Sequence, residues 1–177
     1  MDYYKKRLIR KLKAQSSQAQ EELSSIESIF DQAAPLFCGA VCSFCSENSI
    51  KNPLEDLNDP PKENDQIISD GIKSIFRKIA VKTHPDKVSE SDYSIHQYHN
   101  ATAAKKDKDI NKIISIAKDL KVDINDISYS DIKIIENSIK KTHLKIEKIT
   151  QSYPWVWFFS EDKKRVDIIH EFVINHV

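Results

Sequence analysis

Apolar residues recur in threes and fours from the start of the chain. Ile9, Leu12, Ser16, Ala19, Leu23, Ile26 and Phe30 step by 3,4,3,4,3,4. That is a heptad seam with weak positions at Ser16 and Ala19, and it predicts one long helix over 3–31. Pro35 predicts that this helix stops before it, because proline removes a helical donor and crowds the preceding turn. Residues 35–65 then change character. "APLFCGAVCSFCSEN" is apolar and small, and "SIKNPLEDLNDPPKEND" is acidic and broken by Pro53, Pro60 and Pro61. A linker with one short helical turn at Leu54–Leu57 is expected there.

A second helix is predicted over about 66–82, with Ile68, Ile72, Ile75, Phe76 and Ile79 on one face. Lys73, Arg77 and Lys78 fall away from that face, and Lys82 flanks it. Pro85 pushes His84 out of helical geometry, so the helix should end near Lys82. Residues 85–100 read as a polar loop. A helix follows over roughly 101–121 with Ile110, Ile113, Ile114, Ala117 and Leu120 as its stripe, and Val122–Ser128 reads as a connector. Asp131 is the expected cap of a helix over 131–150, where Ile132, Ile135, Ile139, Thr142, Ile146 and Ile149 again step by threes and fours. Pro154 interrupts, the aromatic block Trp155–Phe159 follows, and Ser160 is the expected cap of a last helix over 161–176 facing inward through Val166, Ile169, Phe172 and Val173.

No strand pair or internal repeat is legible, so the expected fold is all-α. Four regions are expected: an N-terminal coiled-coil-like helix (1–34), a Cys-containing and Pro-rich acidic linker (35–65), a helical hairpin (66–121) and C-terminal helices carrying the aromatic block (122–177). The simplest use of the two seams packs 3–31 against 131–150 as an antiparallel pair. Dimerisation through either seam uses the same pattern, and heptads do not choose between them.

Charge changes the functional picture more than the fold. Lys plus Arg equals Asp plus Glu at 27 each. That balance argues against a general nucleic-acid binder. Two glycines in 177 residues disfavour a phosphate-cradling loop or a dinucleotide-binding turn. No apolar run comes near the roughly 20 residues that span a bilayer, and the start lacks the apolar core of a secretory signal. The expectation is a soluble protein of the cytoplasm, without membrane contact. Three cysteines within eight residues fit a reducing compartment better than a secreted disulfide framework.

The chemistry-bearing stretch is "IFRKIAVKTHPDKVSE" (75–90). His84-Pro85-Asp86 has a restrained backbone at a helix end, and the negative end of the helix dipole favours Lys82 and Lys87 beside it. A His-Asp pair with no adjacent nucleophile or metal makes a weak catalytic site, so a recognition tip or an ordinary loop start are the two readings of the triplet alone. Its context resembles the J domain of DnaJ-type co-chaperones. "IKSIFRKIAVKTHPDK" (72–87) is similar to that family's second helix and loop, and "DINKIISIAKDL" (109–120) looks, more loosely, like its third helix. The likeness covers about 66–121. The layout as a whole is similar to small viral J-domain-like proteins.

The resemblance implies a protein that is no enzyme itself and needs no cofactor. Its basic helix would dock on an acidic surface of a DnaK-type heat-shock ATPase, and its triplet would promote ATP hydrolysis by that partner. His84, Pro85 and Asp86 would carry the stimulation, while Lys73, Arg77, Lys78, Lys82 and Lys87 would steer and hold the complex. A client or assembly protein would be the second partner. The chain departs from the family where a first J helix with a Tyr-x-x-Leu pattern should stand: residues 46–65 offer only Leu54 and Leu57. The alternative is a structural or assembly component, of a virus particle for instance, that keeps the J-like element as scaffold and forms a homo-oligomer.

Four other features have bland readings that outweigh the sharp ones. Cys38, Cys42 and Cys45 share the spacing of the radical SAM iron–sulfur signature, but the chain has neither the length nor the strands for that barrel. A zinc site would need a fourth ligand from His84, His96 or His99, and small apolar residues packed under a loop are the default. His96 and His99 read as a solvated loop. The aromatic block reads as a core plug or a partner-covered surface rather than a base-stacking platform. The basic patch Lys5, Lys6, Arg7, Arg10, Lys11 and Lys13 reads as the solvated face of a coiled coil.

Overall fold

The computed structural model describes residues 3–56, 68–84 and 92–176. Among them the regular structure is entirely helical: α1 (Tyr3–Asn48), a short 3₁₀ turn (Pro53–Asp56), α2 (Asp70–Thr83), α3 (Asp92–Lys106), α4 (Ile110–Asp119), α5 (Tyr129–Thr150), α6 (Tyr153–Phe158) and α7 (Asp162–His176). The all-α expectation holds, and the long N-terminal helix packs against C-terminal helices.

Helix α1 does not stop at Pro35. It runs through the proline to Asn48, so residues 35–48, Cys38, Cys42 and Cys45 among them, are helical and not linker. Pro35 lies on the exposed side. The carbonyl one turn back, whose donor it removes, therefore faces water and not the core. The seam meanwhile continues inward through Ala33, Phe37, Val41 and Cys45, all buried. Burying a side chain such as Phe37 or Val41 contributes about 1.5–3 kcal/mol, which offsets an interior proline costing about 3 kcal/mol. Helix α1 also contains a window of mean hydropathy 1.3, only 22% buried, that is long and apolar enough by length and composition to cross a membrane. The expectation that no apolar run approaches that length is corrected accordingly.

The polar stretch 92–100 is helical too, as the first part of α3. The single helix expected over 101–121 is two, divided at residues 107–109. Helix ends in this glycine-poor chain are made by ordinary residues in left-handed geometry: Ser49, Lys108 and Lys121 have φ of 56°, 55° and 51°. After each, the next N–H reaches back to the last turn, Ile50 to Cys45 O, Asp109 to Ala104 O and Val122 to Ala117 O. This is the six-residue closure that glycine usually permits.

The chain folds as two compact units, each assembled from distant stretches: 1–22 with 63–143, and 23–62 with 144–177. In the first, Ile9, Leu12 and Ala19 of α1, Ile72, Ile75 and Ile79 of α2, Ile113, Ile114 and Ala117 of α4, and Ile132, Ile135 and Ile139 of α5 share one core. The weak seam position Ser16 is fully buried and donates a hydrogen bond to the Asn111 carbonyl oxygen. Lys5, at the start of α1, lies over the Tyr129 ring at the start of α5, 5.6 Å from its centroid. The two helices thus run in the same direction, whereas the seams alone favoured an antiparallel pair.

In the second unit, Phe37, Val41 and Cys45 pack with Ile168, Ile169, Phe172 and Val173 of α7. The inward face of α7 includes Ile168, while Val166 is 58% exposed, contrary to expectation. Ser160 donates to Val156 O and so closes α6; the expected cap of α7 is not formed by it. Of the aromatic block, Trp157 joins this core, while Trp155 and Phe159 pair with ring centroids 5.0 Å apart and Phe159 stays 61% exposed.

Candidate functional site

Helix α2 carries the candidate residues, and three anchors fix it in place. The first is at its start. Ser69 caps the helix by accepting from Ile72 N–H, and its hydroxyl donates to the Asp131 carboxylate. The same carboxylate accepts from Ser128 N–H at 2.8 Å, while Asp131 N–H donates to the Ser128 hydroxyl. That reciprocal pair is a capping box for α5, so Ser128 is the cap and Asp131 its third-position partner. The N-termini of α2 and α5 therefore share one buried anion, which both helix dipoles favour.

Gly71 makes this approach possible: a Cβ there would sit 2.2 Å from Asp131 Oδ2. Burial pushes the Asp131 carboxyl up. The hydrogen bonds from the Ser128 hydroxyl, the Ser69 hydroxyl and Ser128 N–H, together with the Lys5 charge, outweigh it and leave the group below the usual carboxylate range.

The second anchor is at the other end. His84 leaves the helix with φ −64° and ψ 128°, the extended backbone that a following proline imposes, and its N–H still reaches Ala80 O at 2.8 Å. Its half-buried ring meets Tyr98 of α3 edge-on, centroids 5.1 Å apart. About two turns away, Lys105 Nζ lies 4.4 Å from the centroid of Phe76. Pairing 84 with 98 and 76 with 105 makes α2 and α3 an antiparallel hairpin with His84 at its closed end. The helix that follows the triplet is thus α3, and the segment 109–120 expected in that role is α4, which also packs on α2. Pro85, Asp86 and Lys87 lie outside the described residues.

The third anchor uses part of the predicted docking surface. Lys82 Nζ donates to Leu120 O and Lys121 O at 2.9 and 3.3 Å. Lys78 Nζ donates to Asp123 O at 3.0 Å and pairs with Asp126 at 2.7 Å. From α1, Lys13 Nζ donates to Val122 O at 2.6 Å. Three lysines therefore clasp the connector between α4 and α5. The Lys78 hydrogen bond holds the Asp126 carboxyl below its usual range despite some burial. Burial lowers Lys13, with Asp123 opposing and the Lys82 charge adding to the shift.

Of the basic residues assigned to a partner, Lys73 is in an exposed pair with Asp70 at 3.0 Å, and Arg77 is exposed with no ion-pair partner among the described residues. The structure brings Lys73, Arg77, Lys78 and Lys82 onto one helix, but Lys78 and Lys82 are shared with the fold. Sequence reading put Lys13 on a solvated face and missed the connector carbonyls that hold it, because carbonyl positions are set only once α4 and α5 are in place.

The other candidates resolve simply. His96 and His99 are both exposed on α3, and Asn100 Nδ2 stands 3.1 Å from His96 Nδ1. Cys38, Cys42 and Cys45 belong to the second unit and are free thiols; burial raises Cys38 and Cys45, and Cys42 is exposed. Among the described residues no group of three His, Cys, Asp or Glu is placed to hold a metal ion. Comparisons with protein-family models, with curated proteins and with solved structures give no match to this chain.

Proposed function

We propose that the chain is a J-domain-like co-chaperone. It binds a DnaK-type heat-shock ATPase through α2 and the His-Pro-Asp sequence that follows, and it stimulates that partner's ATP hydrolysis during protein folding or assembly. The observation that supports this best is His84 at the closed end of the α2–α3 hairpin, its backbone extended and its ring set against Tyr98. A recognition tip needs such a restrained start. Lys73 and Arg77, exposed on the same helix, supply steering charge.

Steady-state ATPase assays with the full chain and the DnaK-type ATPase of the same cell test the proposal. Native protein raises the rate, and His84→Gln does not while keeping its helical content. Equal rates with native protein, with the variant and with neither would sink it.

A second reading, an assembly component that keeps the hairpin as scaffold, is favoured by the apolar groups left outside: Leu36 is 56% and Phe159 61% exposed. A stable oligomer by light scattering that ignores the ATPase supports that reading against the first.

A further inference from the structure

Two grooves meet in the first unit, and neither is accounted for by the His84 tip. One, of about 390 Å³, lies between α2 and the connector. Val81 and Val122 line it, with Arg77, Lys78 and Lys82 around them and Asp123 at one side. Val81 is 59% exposed, an apolar residue among three cations whose aliphatic stems extend the greasy surface. The other, of about 190 Å³, is mixed. It is lined by Lys6, Ile9, Arg10 and Lys13 of α1 with Asn125, and Asp123 lines it as well. The basic patch of α1 and the basic face of α2 are therefore one surface, joined at Asp123.

Cationic side chains outnumber anionic ones in both grooves, so the occupant is anionic. Its shape is extended, because the grooves are two and adjoining. One is chiefly apolar and the other mixed, with cations at its edge. A nucleic-acid duplex turns its phosphate backbone outward and keeps its bases stacked inside, offering little to the Val81–Val122 groove, whereas a peptide carries charged and apolar side chains along one strand.

We propose that this surface binds an extended acidic peptide segment of a partner protein, with one large apolar side chain seated against Val81 and Val122 and carboxylates meeting Lys6, Arg10 and Arg77. Arg77 lies on the face that the co-chaperone reading also uses, but the Val81–Val122 groove and the α1 cations, which carry this proposal, do not enter that reading.

The test is fluorescence anisotropy with the full chain and three labelled probes: a short Glu/Asp-rich peptide with one central Leu, the same peptide with Ser in its place, and a single-stranded DNA oligonucleotide of equal charge. The Leu peptide is expected to bind about tenfold more tightly than the Ser peptide, from the apolar burial it adds. Val81→Glu, at an exposed position, removes that preference. Arg10→Glu weakens both peptides and flattens their salt dependence. His84→Gln binds as the native chain does, even where it loses all effect on the ATPase, so the two proposals fail separately. Equal affinity for the Leu and Ser peptides, DNA binding at least as tight as the Leu peptide, or no peptide binding at all would each overturn the inference. Unchanged binding by Arg10→Glu would remove the α1 groove from it. Far-UV circular dichroism confirms that each variant is folded.

Discussion

The two units bury their apolar residues in different ways. The first has an aliphatic core in which isoleucine recurs on α1, α2, α4 and α5. Each such side chain contributes a similar share, and neighbours can partly fill a gap. The second is built around an aromatic cluster with Phe37 and Phe172 at its centre. Phe37 meets Trp157 edge-on at 5.9 Å and Phe172 edge-on at 5.2 Å, and Tyr153 meets Phe172 at 5.2 Å. Edge-on pairs add about 0.5–1.5 kcal/mol each beyond their burial. Stability is therefore spread in the first unit and concentrated in the second.

The sharpest way to break this contrast is Phe37→Ala, expected to cost the second unit about 3–5 kcal/mol. Both tryptophans of the chain, Trp155 and Trp157, lie in that unit, so tryptophan fluorescence reports it alone. The fluorescence transition should move to much lower denaturant; a transition that stays put would mean that Phe37 is not the centre. Ile75→Ala should cost the first unit about 2–5 kcal/mol. It should show by circular dichroism while leaving the fluorescence midpoint in place, and movement of both together would show that the units do not melt separately.

Gly71→Ala drives a methyl into the Asp131 carboxylate, an overpacking cost of about 1–3 kcal/mol, again in the first unit only. A midpoint within error of native would contradict the shared-anion arrangement.

Acid and alkali should also separate the units. The Asp131 carboxyl is held down in the folded chain, so its stabilisation is present above the unfolded value of about 3.9 and is lost as pH falls through the folded one. Burial raises the Cys38 and Cys45 thiols, so theirs is present below the unfolded value of about 8.5 and is lost as pH rises through the folded one. The first unit should weaken in acid and the second in alkali. Asp131→Asn should flatten the acid limb and Cys45→Ala the alkaline one, as read from midpoints across pH. The smallest effect runs the other way. Lys108→Gly should raise the stability of the first unit by about 1 kcal/mol by relieving left-handed geometry, and a loss of stability would refute that reading of the helix end.

The sequence disclosed what depends on periodicity. The seams of α1 and α5 and the faces of α2 and α4 turn inward as their spacing implies, with Ile26, Phe30, Phe76, Leu120 and Ile149 only partly buried, because a helix that must bury a stripe writes that stripe at threes and fours. Two elements escaped. The seam through Ala33, Phe37, Val41 and Cys45 was written as plainly as the rest, but Pro35 was given more weight than apolar burial could offset. Among its described side chains, helix α3 buries Ala101 and Ala104 alone. So thin a contact leaves no stripe, and Tyr93, His96 and His99 made the segment read as loop. Within the candidate site, the extended backbone of His84 was legible from Pro85, since that constraint is local, but the packing of its half-buried ring on Tyr98 was not. The capture of Lys78 and Lys82 by the connector was not, because it depends on carbonyls some 40 residues away.

The interleaving of the units bears on how the chain is made. Residues 1–22 complete their unit only with 63–143, and 23–62 complete theirs only with 144–177. As the chain leaves the ribosome, α1 is made before both 63–143 and 144–177 and must wait for them to find its partners. At roughly 10 residues per second its seam stays uncovered for on the order of 10 seconds, and both units wait on contacts far apart in sequence. A newborn chain of this kind carries a bare apolar seam until both units close, and such a seam is the kind of surface that invites aggregation.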